Sequence, residues 1–259
     1  MAEKGFKPGT VYFVGAGPGD PELITVKGMR LLEKADVVVY AGSLVTDKML
    51  MYCREGVEAH NSASMDLAEI CGILVKAAKA GHIVVRLHTG DPSLYSAMRE
   101  QADLLEREGV PYEVVPGVSS AFASAAALKK ELTAPGITQT VIFTRVEGKT
   151  PVPEKERLSA LAAHNATICI FLSISMIEKV VSELCAGGYP ADTPVAVVSK
   201  ATWDDELKVT GTLNDIAAKV IEAGITKHAL IIVGRSLGDF GGEASKLYDS
   251  AFSHGYRHD

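Results

Sequence analysis

The first 116 residues alternate between short apolar runs, each closed by a glycine- or proline-bearing turn, and longer stretches with helical spacing. That alternation limits the chain to a small set of folds. Residues 11–14 run into Gly15-Ala16-Gly17-Pro18-Gly19, and residues 36–40 into Ala41-Gly42-Ser43. Residues 83–87 lead to Thr89-Gly90-Asp91-Pro92, and residues 112–115 to Pro116-Gly117. Between them, Leu23, Val26, Met29 and Leu32 fall on one face of a helix over 25–35, and a second helical stretch spans 64–80 and stops at Gly81. Ser93 is placed to cap a third, reaching Glu108 with Gly109 as its stop. The Val/Ile/Leu runs are continuous rather than alternating, which is the pattern of parallel strands covered on both faces.

The second half keeps apolar strands but changes their order. An alanine-rich helix over 119–130 is broken by Thr133-Ala134-Pro135-Gly136. Strands are predicted at 141–144, 167–172, 195–199, 207–210 and 229–233, with helices near 153–164, 176–186 and 213–223. The polar segment 200–206 is too short to hold a crossover helix, so its flanking strands must form a hairpin and the second sheet must be mixed. A chain of 259 residues accommodates two such domains, with the division expected at Pro116 (1–116 and 117–259). The Gly- and Ser-containing tail after about 238, with His254 and His258, is read as partly mobile.

Composition excludes several classes. Hydrophobic residues are 47% and charged residues 22%, enough for a real core and against disorder. A net charge of -6 opposes a nucleic-acid partner. Cys53, Cys71, Cys169 and Cys185 form no CxxC pair and lie at no metal-ligand spacing from histidine. They read as buried reduced thiols, with no metal site, in a reducing, cytoplasmic compartment. The N-terminus carries no apolar leader, and no apolar run approaches the roughly 20 residues of a membrane span.

The first glycine turn invites a dinucleotide reading, which its own residues oppose. Asp20 stands where GxGxxG or GxGxxA needs a small residue and would repel a pyrophosphate; no acidic residue ends the second strand as a ribose hook. The turn is then either a tight strand end or a wall of another ligand's cleft, since open α/β sheets bind ligands at strand carboxyl ends. In Thr89-Gly90-Asp91-Pro92-Ser93-Leu94-Tyr95, Gly90 allows close backbone approach and Pro92 fixes the turn. Asp91, held extended before proline, caps a helix, shapes a ligand-contacting loop, or does both at once. No GxSxG and no cysteine–histidine pairing marks a nucleophile.

The ordered set Gly15-Ala16-Gly17-Pro18-Gly19-Asp20-Pro21-Glu22-Leu23-Ile24-Thr25, Gly90-Asp91-Pro92, Pro116-Gly117-Val118-Ser119-Ser120 and Ala229-Leu230-Ile231-Ile232-Val233-Gly234 is similar to that of the tetrapyrrole methylases, over about residues 10–240. Within that family, Tyr40-Ala41-Gly42-Ser43-Leu44-Val45, the stretch from Arg86 to Tyr95 and the stretch from Thr144 to Glu154 resemble the precorrin-4 C-11 methyltransferases, cobalt-precorrin-4 enzymes included. The resemblance implies two α/β domains, the N-terminal sheet mainly parallel and the C-terminal one mixed, with an active-site trough between them. It implies S-adenosylmethionine as donor, S-adenosylhomocysteine as product, a small-molecule tetrapyrrole of cobalamin biosynthesis as substrate, and a homodimer. Carried over by position, the donor contacts are Pro18, Thr89, Gly90, Asp91, Leu94, Ser119, Ser120, Leu172 and Ala201. Leu172 and Ala201 stand where uroporphyrinogen-III methyltransferase has Met and Gly.

On the substrate side the resemblance implies Gly15, Ser43, Arg86, Tyr95, Arg145 and Glu147. Ala41 stands where the uroporphyrinogen enzymes carry Asp, and residues 60–63 lack their Lys, which opposes uroporphyrinogen as substrate. The acetate and propionate groups of precorrin-4 call for cations, Arg145 first, then Arg86, Arg99, Lys149 and Arg157. A sulfonium methyl is already electrophilic, so alignment rather than a nucleophile is what the reaction requires. The catalytic candidates are therefore His88, which as a lone histidine is more often structural and otherwise a hydrogen-bond partner or proton acceptor near neutral pH, Tyr95, which packs in its helix or else stacks on or bonds to the tetrapyrrole, and Arg145. The alternatives are another enzyme of the same family, acting at a different precorrin position or on a macromolecule as diphthine synthase does, and a non-catalytic binding module.

Overall fold

Five strands of the first half are parallel: β1 (Thr10–Gly15), β2 (Val37–Tyr40), β3 (Glu58–Asn61), β4 (Ile83–His88) and β5 (Tyr112–Val115), in the order β3-β2-β4-β1-β5. Side chains alternate across the sheet. Tyr12, Val14, Val38, Tyr40, Val85 and Leu87 pack with Leu31 and Leu32 of α1 (Val26–Lys34). Val11, Phe13, Val37, Val39 and Val84 pack with Ile70 and Leu74 of α2 (Leu67–Lys79) and with Ala102 and Leu105 of α3 (Met98–Arg107). Thr25 caps α1 by accepting from the Gly28 N–H, and Asp66 with Glu69 forms a capping box on α2. The computed structural model describes residues 5–238.

Two elements depart from the sequence expectation. β3 is an edge strand of Glu58-Ala59-His60-Asn61, largely exposed, that pairs with β2 through its backbone and so shows no apolar run. The third helix starts at Met98 rather than after Ser93. The Ser93 N–H goes to Asp91 Oδ1, and Tyr95 and Ala97 hold left-handed backbones, both at φ 53°, which no right-handed helix can include.

The second half holds α4 (Ser120–Leu128), β6 (Val141–Arg145), α5 (Leu158–Ala162), β7 (Thr167–Phe171), α6 (Ile177–Ala186), β8 (Pro194–Ser199), β9 (Leu207–Thr212), α7 (Ile216–Glu222) and β10 (Ala229–Val233). Its sheet order is β6-β7-β10-β8-β9, with β6 and β7 parallel and the other pairs antiparallel. β8 and β9 form the expected hairpin, in register from Pro194 against Thr212 to Ser199 against Leu207. Ile168, Ile170, Val195, Val197, Ile231 and Val233 build its core with Leu158, Val180, Leu184 and Val220.

The chain divides into two units. The first runs to Ala123 and takes in Thr202–Asp204; the second holds Ser124–Ala201 and the chain from Asp205. The expected break at Pro116 precedes α4, whereas the units part within it. All four cysteines are free. Cys71 and Cys169 are buried as expected, but Cys53 is only half-buried and Cys185 is exposed, because it lies on the outer face of α6. Among the described residues no helix is long and apolar enough to cross a membrane, and no group of His, Cys, Asp and Glu is arranged to hold a metal ion. His254 and His258 lie outside the described residues.

Candidate functional site

β1 lies between β4 and β5, so the loops leaving their carboxyl ends emerge side by side. They interlock backbone to backbone. Ala16 N–H donates to His88 O at 2.7 Å, Gly90 N–H to Gly17 O at 2.8 Å, and Gly17 N–H to Gly90 O at 3.3 Å. The contacts leave no room for a side chain. A Cβ on Gly15 would sit 2.6 Å from Gly117 Cα and from Gly90 O, and one on Gly117 would sit 2.2 Å from Gly90 O. Asp91 then fastens two of the loops. Its Oδ1 accepts from Ser93 N–H at 2.7 Å and its Oδ2 from Gly117 N–H at 2.9 Å. Asp91 does not cap α3, which starts only at Met98; its carboxylate ties the 91–93 turn to the 116–120 loop.

This arrangement gathers Gly15, Pro18, Thr89, Gly90, Asp91, Leu94, Ser119 and Ser120 along one edge of the first unit. Ser119 starts α4 there, its carbonyl accepting from Phe122 and Ala123. Tyr95, 46% exposed, stands on the strained turn before α3. Ser43 is exposed in the turn after β2. Leu172 and Ala201 belong to the second unit. They follow β7 and β8, which are both antiparallel to β10, so both residues lie at the same edge of that sheet. Leu172 is 67% exposed on a left-handed backbone, φ 54°, and Ala201 is buried behind Lys200, also left-handed at φ 49°. Left-handed non-glycine residues concentrate in these segments, as strained backbone does at working sites.

The cations resolve differently from expectation. Arg86 is only 5% exposed and turns inward: Nε donates to Gln101 Oε1 at 3.1 Å, and Nη1 to Ser62 Oγ at 3.1 Å and Val39 O at 3.3 Å. Burial lowers its pKa to about 10, so it stays charged, and it forms no ion pair among the described residues. A place at substrate carboxylates does not match that burial; Arg86 ties β4 to β2 and α3. Arg145 donates to the carbonyls of Pro151 (2.7 Å), Thr150 (3.1 Å) and Val146 (3.4 Å), and Lys179 donates to Glu147 O at 2.9 Å. Two cations thus hold four carbonyls of the 146–151 loop, which carries the half-buried Glu147 and the exposed Lys149. Arg99 and Arg157 are exposed.

His88 is 4% exposed, packs at 5.8 Å centroid distance from Phe13, and its Nε2 has no hydrogen-bond partner among the described residues. Burial, and then the nearby Arg86 guanidinium, push its pKa down to about 3. The imidazole is neutral at physiological pH, which removes proton acceptance near neutrality from its possible roles and leaves hydrogen bonding.

Two residues at this edge were missed in the sequence. Trp203 Nε1–H donates to Pro18 O at 2.9 Å, and Asp20 N–H donates to Thr202 Oγ1 at 2.9 Å. The available signal was the chain's single tryptophan placed in an otherwise polar hairpin connection.

Over residues 10–217 the chain matches the family of Tetrapyrrole (Corrin/Porphyrin) Methylases. It is 58% identical over 247 residues to the cobalt-precorrin-4 C(11)-methyltransferase of Methanocaldococcus jannaschii, covering 95% of each chain. The X-ray structure of a cobalamin biosynthetic enzyme, a cobalt-precorrin-4 methyltransferase, superposes with a TM-score of 0.87 at 50% identity, covering 89% of this chain and 96% of that one. Uroporphyrin-III C-methyltransferase from Thermus thermophilus, complexed with S-adenosyl homocysteine, superposes with a TM-score of 0.74 at 30% identity, covering 90% and 96%.

Proposed function

The chain belongs to the tetrapyrrole (corrin/porphyrin) methylase family, and from that premise we propose that it transfers the methyl group of S-adenosylmethionine to C-11 of precorrin-4 or cobalt-precorrin-4 in cobalamin biosynthesis. The observation that carries this reading is the interlocked cluster of the 15–20, 88–97 and 116–120 loops. Such a cluster offers backbone N–H and C=O groups, small side chains and a neutral buried imidazole. That donor set fits a ligand with amino-acid and nucleoside ends, and it lacks the anion cradle a dinucleotide needs, since Asp20 closes the first turn.

When bound, the donor supplies an electrophilic methyl group, and the protein's work is alignment and exclusion of water. Pro18, Thr89, Gly90, Leu94, Ser119 and Ser120 are the proposed donor contacts of the first unit. Asp91 acts through them, holding its own turn and the Gly117 peptide in register. Substrate carboxylates are met by the segment that begins at Arg145, where Lys149 is exposed and Arg145 fixes the loop. Tyr95 offers an exposed ring for the macrocycle to stack against. Ala41 in place of Asp, and the absence of Lys in 60–63, support precorrin-4 over uroporphyrinogen. We further propose a homodimer working in the cytoplasm, with light scattering on the eluted protein as the check of its mass.

The test is calorimetric titration with S-adenosylhomocysteine, NAD serving as control, followed by turnover with both forms of precorrin-4. Micromolar binding of the former with none of NAD, and a product heavier by one methyl-for-hydrogen exchange, is the expected result. Binding without methylation of either tetrapyrrole would move the substrate elsewhere in the family; no binding and no turnover would remove the activity.

A further inference from the structure

We infer that Trp203 is a positioning residue for donor binding: its indole locks the Pro18-Gly19-Asp20 turn into the conformation that presents Pro18. The inference rests on the donor reading above and adds to it a residue that no donor contact includes.

Several observations converge on the lock. Thr202–Asp204 folds with the first unit although the residues on either side of it belong to the second. It is tied to the turn twice, by Trp203 Nε1–H to Pro18 O and by Asp20 N–H to Thr202 Oγ1, both at 2.9 Å. Lys48 and Asp204 add an ion pair at its far end. The indole also occupies the space a side chain would take at position 19. A Cβ there would lie 2.1 Å from Trp203 Cδ1 and 2.4 Å from its Nε1. Turn and indole therefore specify one another.

The proline makes the hydrogen bond consequential. The ring of Pro18 fixes its own φ, so the remaining freedom of that residue is ψ, the rotation that swings its carbonyl. A donor held against that carbonyl removes the freedom. The following glycine, which would otherwise let the turn wander, is filled by the indole edge.

The backbone shows that this contact is retained against a local cost. Lys200 and Thr202 hold left-handed conformations, φ 49° and 70°, and the latter is β-branched, for which that region is a genuine outlier. Strain of this kind persists where the surroundings impose it, and it gathers at ligand clamps. Trp203 itself is only half-buried, so the strain does not serve to bury a core side chain. It delivers an N–H and a ring edge to the Pro18-Gly19-Asp20 turn. A turn already set before the ligand arrives spares the ordering cost of binding.

The experiment uses Trp203→Phe, which keeps a ring and loses the N–H, with Trp203→Ala, Gly19→Ala and the double variant. S-adenosylhomocysteine affinity, melting temperature and the separate KM values for donor and tetrapyrrole are read for each. Trp203→Phe is expected to weaken donor affinity about five- to tenfold, the weight of one hydrogen bond. It should raise the donor KM in step, with the tetrapyrrole KM unchanged. Gly19→Ala pushes the indole off and should act in the same direction. The double variant should cost no more than the worse single one, because both break one contact. Wild-type donor affinity in Trp203→Phe, equal rises in both KM values, or additive costs of Gly19→Ala and Trp203→Ala would each overturn the assignment. The native protein offers a second measurement that depends on no variant folding. Trp203 is its one indole, and a turn set before the ligand arrives keeps it where it is, so its emission maximum should hold as S-adenosylhomocysteine saturates the site, and a shift of that maximum overturns the pre-set lock. A wild type that binds no S-adenosylhomocysteine at all fails the proposed function instead, and additivity in the melts then still decides whether Trp203 and Gly19 act as one.

Discussion

Removing the Asp91 carboxylate strips two loops of the acceptor they share. Asp91 Oδ1 takes the Ser93 N–H at 2.7 Å and Oδ2 the Gly117 N–H at 2.9 Å, and Asp91→Ala leaves both donors to find water. A hydrogen bond to a charged acceptor contributes about 1.5–3 kcal/mol net, and the half-buried setting of Asp91 places each near the lower end. Two of them amount to about 3 kcal/mol. For a chain of this size each 1 kcal/mol moves the midpoint by about 2–4 °C, so Asp91→Ala should melt about 6–12 °C lower. Asp91→Asn keeps one carbonyl oxygen, restores one of the two bonds and should lose about half as much. Because the Gly117 peptide leads directly into Ser119 and Ser120, slack there should also weaken S-adenosylhomocysteine by more than tenfold, about 1.4 kcal/mol. Calorimetric melting and titration on the same preparations read both effects. The reasoning is refuted if Asp91→Ala melts and binds like the wild type, or if Asn proves no better than Ala in both assays.

Three other outcomes follow from the same geometry. Gly117→Ala would drive a Cβ to 2.2 Å from Gly90 O, a backbone atom that cannot swing away; a loss of at least about 3 kcal/mol is expected, seen in soluble yield and melting, and a normal melt would contradict the close packing of the loops. His88 titrates near 3 when folded and near 6.5 when unfolded, so its contribution is fully present above about pH 6.5 and is lost as pH falls toward 3, reaching about 2 kcal/mol at pH 5. His88→Leu should flatten that acid limb in urea titrations at pH 5 and 7.5, and an unchanged limb would mean the imidazole is not held neutral. Arg145→Ala releases the carbonyls of Val146, Thr150 and Pro151 and should raise the tetrapyrrole KM while donor affinity holds; Arg145→Lys, a point charge without the planar fork, should recover little of it.

The candidate site was legible to an unequal degree. Its loops were found because glycine and proline at strand ends carry a local message: a turn must form there, and it must sit at a carboxyl edge. The roles within the loops were not found. Nothing near Arg86 in sequence says that its guanidinium turns inward to Gln101 and Ser62, and nothing near Arg145 says that three carbonyls of its own loop claim it. For His88 the sequence left a structural role and a proton-accepting one both open, and the burial that keeps it neutral came from the strands beside it.

The parallel character of the first sheet, the mixed character of the second and the β8–β9 hairpin could be read from local residues. Each follows from residues within one element or its neighbour: continuous apolar strands must be covered on both faces, and the 200–206 segment cannot span a crossover. Features that depend on groups far apart in the chain came only with the folded arrangement. β3 exists because β2 offers it a backbone edge, which its polar side chains do not advertise. The late start of α3 reflects the left-handed backbones at Tyr95 and Ala97, which spacing does not reveal. Gly15 must be glycine because Gly117 and Gly90 press against it, and Trp203 meets Pro18 across 185 residues of sequence. Side-chain periodicity reports which face of an element is buried. It carries no record of which backbone atom from a distant loop arrives there, and the site is made of such arrivals.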